Sequence, residues 1–185
     1  PFPVQSDDIS PSQAMAGVGP LVGAQTTQGV AVTGINSYQS LGYDGTGINL
    51  AIFDFGFTGW GSLVDSGDLA AGVGAHGISA AYNFSPDTSG YAHGAACSEI
   101  AYDMAPGATV HLYAWSTEAE FGNAVNNYIG VAGKKVATMS VSFVNAGPYD
   151  GTGSINTIVD NAQTAGILWA NSAGNSAPRS SKDST

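Results

Sequence analysis

The chain has 185 residues, of which 43% are hydrophobic, and this is enough for one domain with a buried core. Its 14 acidic and 4 basic residues give a formal net charge of −10, which repels phosphate backbones and anionic lipids and so argues against a nucleic-acid partner. No apolar run approaches the roughly 20 residues that a membrane-spanning helix requires, so we expect no membrane partner either.

In chain order, the N-terminal half predicts an arm, a helix and a buried strand. Residues 1–25 contain Pro, Ser, Gln and Gly without apolar periodicity, which indicates an extended arm over the surface. Apolar residues near helical spacing predict a helix within 26–43. Turn residues then precede a short apolar run, 48–53, which predicts a buried strand ending at Asp54. The glycine-rich stretch 56–83 predicts an irregular excursion.

From residue 91 onward, helices and strands are predicted to alternate. A helix should begin at about His93 and stop before Pro106, which cannot continue it. The string TEAE, from Thr117 to Glu120, matches a capping box and predicts the start of another helix. The predicted helices cover 93–104, 118–131 and 154–164, and the predicted strands cover 108–115, 136–141 and 167–170.

This alternation predicts one α/β domain over residues 26–185, with three layers: a mostly parallel central sheet flanked by helices, joined by right-handed crossovers. In such sheets ligands bind at the carboxyl ends of the strands. Asp54 lies at one such end, residues 140–142 lie at a second, and Asn175 lies just past a third. His93 begins a neighbouring helix, so we expect these groups to converge at one edge of the sheet.

An aspartate at a strand end followed by a histidine at a helix start is consistent with the first two members of an Asp, His, Ser catalytic order. A buried carboxylate without a partner would cost several kcal/mol, so Asp54 should have a partner. The alternative is that Asp54 caps a loop amide and that His93 is an ordinary surface residue.

Four strings resemble segments of the subtilisin-like serine peptidases. They are AIFDFGF, YAHGAACSEIAYDMAPGA, VATMSVSF and GILWANSAGNSA, and they resemble the aspartate, histidine, substrate-backbone and oxyanion segments of that family in the same order. The resemblance extends from about residue 26 to 175, and TTQGVAVTGINSYQSLGYDGTG is similar to the stretch before the aspartate in bacterial members. It implies the subtilisin-like version of the three-layer fold and a secreted protein whose signal and any propeptide have been removed.

The resemblance implies a serine endopeptidase in which three residues have assigned roles. Asp54 would hold the tautomer of His93, and His93 would act as general base and then as general acid. Asn175 would donate its side-chain amide to the oxyanion of the tetrahedral intermediate. No cofactor would be required, although the acidic surplus is compatible with the structural calcium found in many relatives.

The resemblance also implies a substrate-binding segment made of Ser140, Val141 and Ser142, which would pair with the backbone of a protein or peptide substrate. This segment departs from the serine-leucine-glycine of the family. The family's serine after the aspartate is Phe55 here, and its threonine after histidine-glycine is Ala95. These departures concern fine specificity more than the chemistry.

No string up to Thr185 matches the segment that carries the nucleophilic serine in this family. We therefore expect the fold to be incomplete without a C-terminal part and the chain to be inactive alone. Autoprocessing within SAPRSSKDST would leave a fragment of the same precursor, carrying the serine, bound noncovalently as a partner. The alternative is a catalytically inactive module that binds peptides on the same scaffold.

Other candidate residues remain open at this point. Cys97 lies four residues after His93 and so on the same helix face, which permits a Cys-His nucleophile or a metal pair; the alternative is a small buried packing residue. Glu99 and Asp103 either face solvent or support the site.

The remaining histidines do not suggest a metal centre. His76 should lie at the surface and His111 in the core or at an edge, and neither stands at ligand spacing from another candidate, so we predict no metal site. A nucleotide-binding α/β domain is disfavoured because the chain contains no glycine-rich phosphate loop.

Overall fold

The structure is a computed structural model, and it describes residues 25–69, 74–76, 91–143 and 150–174. The strands in these ranges are β1 (Ile48–Asp54), β2 (Gly74–His76), β3 (Thr109–Ala114), β4 (Lys134–Met139) and β5 (Ile167–Asn171). The helices are α1 (Gln28–Thr33), α2 (Ile35–Gln39), α3 (Trp60–Ser66), α4 (His93–Met104), α5 (Glu118–Ile129) and α6 (Ser154–Thr164). No helix in the described ranges combines the length and the hydrophobicity needed to cross a membrane.

The five strands form one sheet in the order β2-β3-β1-β4-β5, and every neighbouring pair is parallel. The α/β class with a parallel sheet is therefore confirmed. Asp54 pairs in register with Ala114, and Phe53 pairs with Met139, so β1, β3 and β4 end at the same edge of the sheet. The ends of these three central strands provide the place where the polar residues can meet.

Side chains of β1 alternate between the two faces of the sheet, as strand geometry requires, and both faces are apolar. Ala51 and Phe53 belong to a first core cluster that also contains residues of α5 and α6. Leu50 and Ile52 belong to a second cluster with residues of α3 and α4. Helices thus pack on both faces, which gives the three layers.

Part of the second face is not covered by the described helices. Leu168 of β5 pairs with Val136 of β4, and its side chain is 69% exposed. Ile100 of α4 lies across a groove from Thr138 of β4, and it is 46% exposed. We call this region the open face, and it consists of Val136, Thr138, Leu168 and Ala170.

Two predictions about the N-terminal half were wrong in part. The helix predicted within 26–43 is divided into α1 and α2, because Gly34 adopts a left-handed conformation (φ 71°) that ends α1. The excursion 56–83 was predicted to be irregular, but it contains α3 and the short strand β2, in which His76 lies. The structure does not describe the side chain of His76 or the predicted arm up to residue 24.

The C-terminal half follows the sequence more closely. Helix α4 ends at Met104, before Pro106, and α6 has the predicted bounds. The capping box is confirmed, because the Thr117 side chain accepts from the Glu120 backbone and Glu120 accepts from the Thr117 backbone. The strand predicted at 136–141 lies two residues earlier, and residues 140–142 form the loop that follows β4.

Candidate active site

Asp54 and His93 form a close pair at the carboxyl edge of the sheet. Asp54 is the last residue of β1 and is only 1% exposed. Its Oδ2 lies 2.7 Å from Nδ1 of His93, and its Oδ1 accepts a hydrogen bond of 2.8 Å from the backbone N–H of Phe55. Both carboxylate oxygens therefore have partners, and the loop-amide interpretation of Asp54 describes only one of them.

Helix α4 places His93 by approaching β1 closely at Gly94. The Gly94 backbone N–H donates to the carbonyl of Gly56 over 3.1 Å, and the Thr58 N–H donates to the carbonyl of Tyr91 over 2.9 Å. A Cβ atom at position 94 would lie 2.5 Å from the Gly56 carbonyl oxygen and 2.7 Å from Cβ of Asp54. Glycine is thus required at the point where the helix meets the end of the strand.

The charge distribution at this pair favours the protonated imidazole. The hydrogen bond to Asp54, and secondarily the contact with Cys97, raise the pKa of His93 to about 10, while burial opposes this shift. The histidine side chain is 53% exposed, so solvent reaches the ring from the side away from the carboxylate. An imidazolium stabilised in this way is the species that results when a histidine accepts a proton from a nucleophile.

We expect NMR titration of the His93 ring protons to give a midpoint near 10, well above the ordinary 6.5, and a lower midpoint in Asp54→Asn, because the hydrogen bond to Asp54 is the main cause of the raised pKa. Since the folded pKa lies above the unfolded value of 6.5, the pair contributes its full stabilisation below about pH 6.5 and loses it as the pH rises toward 10. The stability advantage of the wild type over Asp54→Asn, measured by urea unfolding, should shrink over that window. Equal midpoints in the two proteins would contradict this interpretation.

Cys97 is both a packing residue and a neighbour of the histidine. It is partly buried against the second core cluster. Its Sγ lies 3.9 Å from Nδ1 and 3.9 Å from Nε2 of His93. One donor atom each from Asp54, His93 and Cys97 lies within 4.8 Å of the other two. The sequence spacing indicated the Cys-His proximity, but it did not indicate that Asp54 completes a group of three.

The three residues predicted to bind substrate follow β4 at the same edge of the sheet but face different surroundings. Ser140 and Cys97 both line a groove of about 190 Å³ between α4 and β4. Val141 packs against the first core cluster. Ser142 is exposed and lines a second cavity of about 100 Å³.

Asn175 lies outside the described residues, but the chain leading to it runs along this edge. The backbone N–H of Ser172 donates to the carbonyl of Met139 over 3.0 Å. A Cβ atom at Gly174 would lie 3.5 Å from Oγ of Ser142. The residue before Asn175 is therefore next to the predicted substrate segment.

Sequence reasoning missed an aromatic cavity beside Ser142. The rings of Phe143 and Trp115 stack with centroids 4.8 Å apart, and Phe55 packs against Trp115 at 4.5 Å. These three rings line the cavity of about 100 Å³ together with Ser142. The available signal was an aromatic residue directly after β1 and another directly after β3, with a third four residues after β4. The usual role of aromatic residues in the core obscured this signal.

The other open residues have structural surroundings. Asp103 is buried, and it accepts a hydrogen bond of 2.6 Å from the backbone N–H of Thr27, which connects the start of α1 to α4. It lies about 15 Å along α4 from His93. Burial raises the pKa of Glu99, which is partly exposed, and the nearby Asp68 and Asp103 raise it further. His111 lies within β3, and its Nε2 is 2.9 Å from Oδ1 of Asn49.

Comparison with known proteins adds no assignment to this geometry. No protein-family model matches the chain, and no curated protein shows significant similarity to it.

Proposed function

We propose that this chain is part of a subtilisin-like serine endopeptidase and supplies Asp54, His93 and Asn175 to its active site. The observation that supports this proposal best is the Asp54–His93 pair, 2.7 Å apart, at the carboxyl edge of an all-parallel sheet. The Asp54 carboxylate is buried and the His93 ring is half exposed. This is the arrangement expected when the acid orients the histidine and the histidine, as the base, meets the substrate.

In the proposed reaction, His93 accepts the proton of a serine hydroxyl as that oxygen attacks the scissile carbonyl. In the neutral ring, Asp54 holds the proton on Nδ1, which leaves Nε2 free to accept, and Asp54 stabilises the imidazolium that forms. Because the pKa of His93 is raised, the fraction of neutral ring, and with it the rate, should increase as the pH rises. Asn175 donates to the oxyanion, and the imidazolium then protonates the leaving amine. Water hydrolyses the acyl-enzyme by the same steps, so His93 returns to its neutral form.

The nucleophilic serine is proposed to come from a C-terminal segment of the same precursor, either continuous with the chain or held as a second polypeptide. The groove between α4 and β4 begins at Cys97, next to His93, and is lined by Ile52, Ile100 and Thr138. Thr138 belongs both to this groove and to the open face, where Leu168 is exposed. A segment packed here would cover this apolar surface and could present a serine to the histidine ring.

The proposed substrate is a protein or peptide in extended conformation. Ser140 and Ser142 follow β4, where an added strand could pair with their backbone. The aromatic cavity beside Ser142 offers a place for one apolar substrate side chain. We propose a secreted enzyme that requires no cofactor for this chemistry.

One observation favours a second candidate, a peptide-binding module without catalysis. Among the described residues, Asp54 and Cys97 are the side chains found within hydrogen-bonding range of the His93 ring, and no serine or threonine hydroxyl contacts it. If no other segment supplies a hydroxyl, the same edge of the sheet can bind an extended peptide but cannot cut it.

A fluorophosphonate probe separates the two candidates. We expect the probe to label a serine on a segment or polypeptide that purifies with this chain, because only a serine activated by a histidine reacts readily. The label should disappear in His93→Ala and persist in Cys97→Ala, since the thiol is not the proposed nucleophile. The absence of label on every polypeptide of the purified protein would support the binding module.

A further inference from the structure

We propose that Asp54, His93 and Cys97 together form a binding site for a divalent cation of the zinc class. The three residues offer a carboxylate, an imidazole and a thiolate, and each of these is a common zinc ligand. One donor atom from each lies within 4.8 Å of the others. This inference concerns binding by these three side chains, and it holds whether or not the chain contributes to a peptidase.

The spacing of the donor atoms is close to that of a metal centre. Nδ1 of His93 lies 2.7 Å from Oδ2 of Asp54 and 3.9 Å from Sγ of Cys97. In a tetrahedral zinc site, bonds of about 2.0–2.3 Å place neighbouring donors about 3.5 Å apart. The two observed distances lie on either side of this value, and the donors of the remaining pair, Asp54 and Cys97, lie within 4.8 Å of each other.

The elements that carry the donors fix two of them and leave the third adjustable. The backbone N–H of Phe55 donates to Oδ1 of Asp54 and so leaves Oδ2 for a bond to the cation. In metal sites, hydrogen bonds of this kind orient the residues that bind the metal. Cys97 is anchored by packing on the second core cluster. His93 is half exposed and can turn its ring by the small amount required.

The site has charge and space that suit a cation. A carboxylate and a thiolate would neutralise the two positive charges of the metal, and the whole chain carries a formal charge of −10. The His93 side chain is 53% exposed, so a water molecule from solvent can reach the cation as a fourth ligand. Three protein ligands and an open position are typical of accessible zinc sites, in contrast to closed structural ones.

A bound cation would replace the proton that His93 and Asp54 share. His93 could not then act as a general base, so the metal-loaded and the peptidase-competent forms of the site exclude each other. If the proposed peptidase function is correct, zinc should act as a reversible inhibitor that a chelator removes. If that function is wrong, the binding site remains, because it depends only on the three side chains.

The test measures metal binding directly. The purified, reduced protein, with any polypeptide that accompanies it, is titrated with Co²⁺ and, separately, with Zn²⁺ in competition with a chromophoric chelator. We expect one equivalent of Co²⁺ to give the near-ultraviolet absorption of a cobalt-thiolate bond. We expect Asp54→Asn and His93→Ala to weaken Zn²⁺ binding at least about 10-fold, since even the loss of an outer partner has that effect.

The decisive variant is Cys97→Ala, in which the cobalt-thiolate band should vanish. Cys97→Ser, which keeps the shape of the side chain, serves if the alanine variant does not fold, and it should lose the band as well. Glu99→Gln removes a carboxylate from the same helix outside the group of three and should bind as tightly as the wild type. The proposal is overturned if the wild type gives no such band, or if its Zn²⁺ affinity equals that of the Cys97 variants.

Discussion

Replacing Asp54 by asparagine is expected to lower the rate of peptide hydrolysis by the assembled peptidase by about 10⁴-fold. An asparagine can keep the hydrogen bond from the Phe55 N–H through its own oxygen. Its NH₂ group would then face Nδ1 of His93 and force the ring proton onto Nε2. A ring in that tautomer cannot accept the proton of the nucleophile, so turnover falls although the geometry is kept.

The measurement is the initial rate of cleavage of an unstructured protein substrate, together with the affinity for a bound peptide product. Affinity should change far less than turnover, because the substrate segment of Ser140 and Ser142 is untouched. Asp65→Asn is a matched control: Asp65 is exposed on α3, and its loss removes the same charge without touching the site. An Asp54→Asn enzyme that keeps more than about a tenth of the wild-type rate would exclude the proposed role of the acid.

The fold was predictable where local patterns agreed with the tertiary structure. The bounds of α4 and α6 followed from a proline, a glycine and apolar periodicity, which act within a few residues. Helix α3 was missed because Gly56 and Gly59 precede it and Gly61 lies within its first turn. In the structure Gly59, at φ 91°, precedes the first turn, and Leu63 packs on the second core cluster. Tertiary packing here overrides a poor local propensity.

The candidate site was predictable only as a set of residues at one edge of the sheet. The parallel topology brings the end of β1 next to the loop after β4, which the alternation of elements implied. The 2.7 Å contact of Asp54 with His93 depends on how deeply α4 approaches β1, and no local pattern states that depth. The position of Cys97 next to the His93 ring and near Asp54 depends on the same approach. The group of three could therefore not be predicted without knowing that Asp54 contacts His93.

Replacing Gly94 by alanine is expected to destabilise the protein by about 2 kcal/mol, and this tests that approach directly. The added methyl group would meet the Gly56 carbonyl oxygen at 2.5 Å and two other atoms, Cβ of Asp54 and Cε1 of Phe57, at 2.7 Å. Alanine is better than glycine in a helix by up to about 1 kcal/mol, but overpacking against backbone costs typically 1–3 kcal/mol and occasionally more. With three contacts this short, the steric cost should prevail.

The matched control is Gly122→Ala, a glycine of α5 whose added Cβ would meet only Cδ1 of Ile158 at 3.4 Å and Cγ1 at 3.8 Å. This variant should be stabilised by about 0.5–1 kcal/mol, because it gains helix propensity without a clash. Urea unfolding of both variants should therefore shift the midpoint in opposite directions. In Gly94→Ala the pKa of His93 should also fall toward 6.5, since α4 must move away from Asp54. The contradicting outcome is a Gly94→Ala protein that is as stable as Gly122→Ala and in which the pKa of His93 stays raised. It would show that the contact of His93 with Asp54 does not depend on the close approach of α4 to β1.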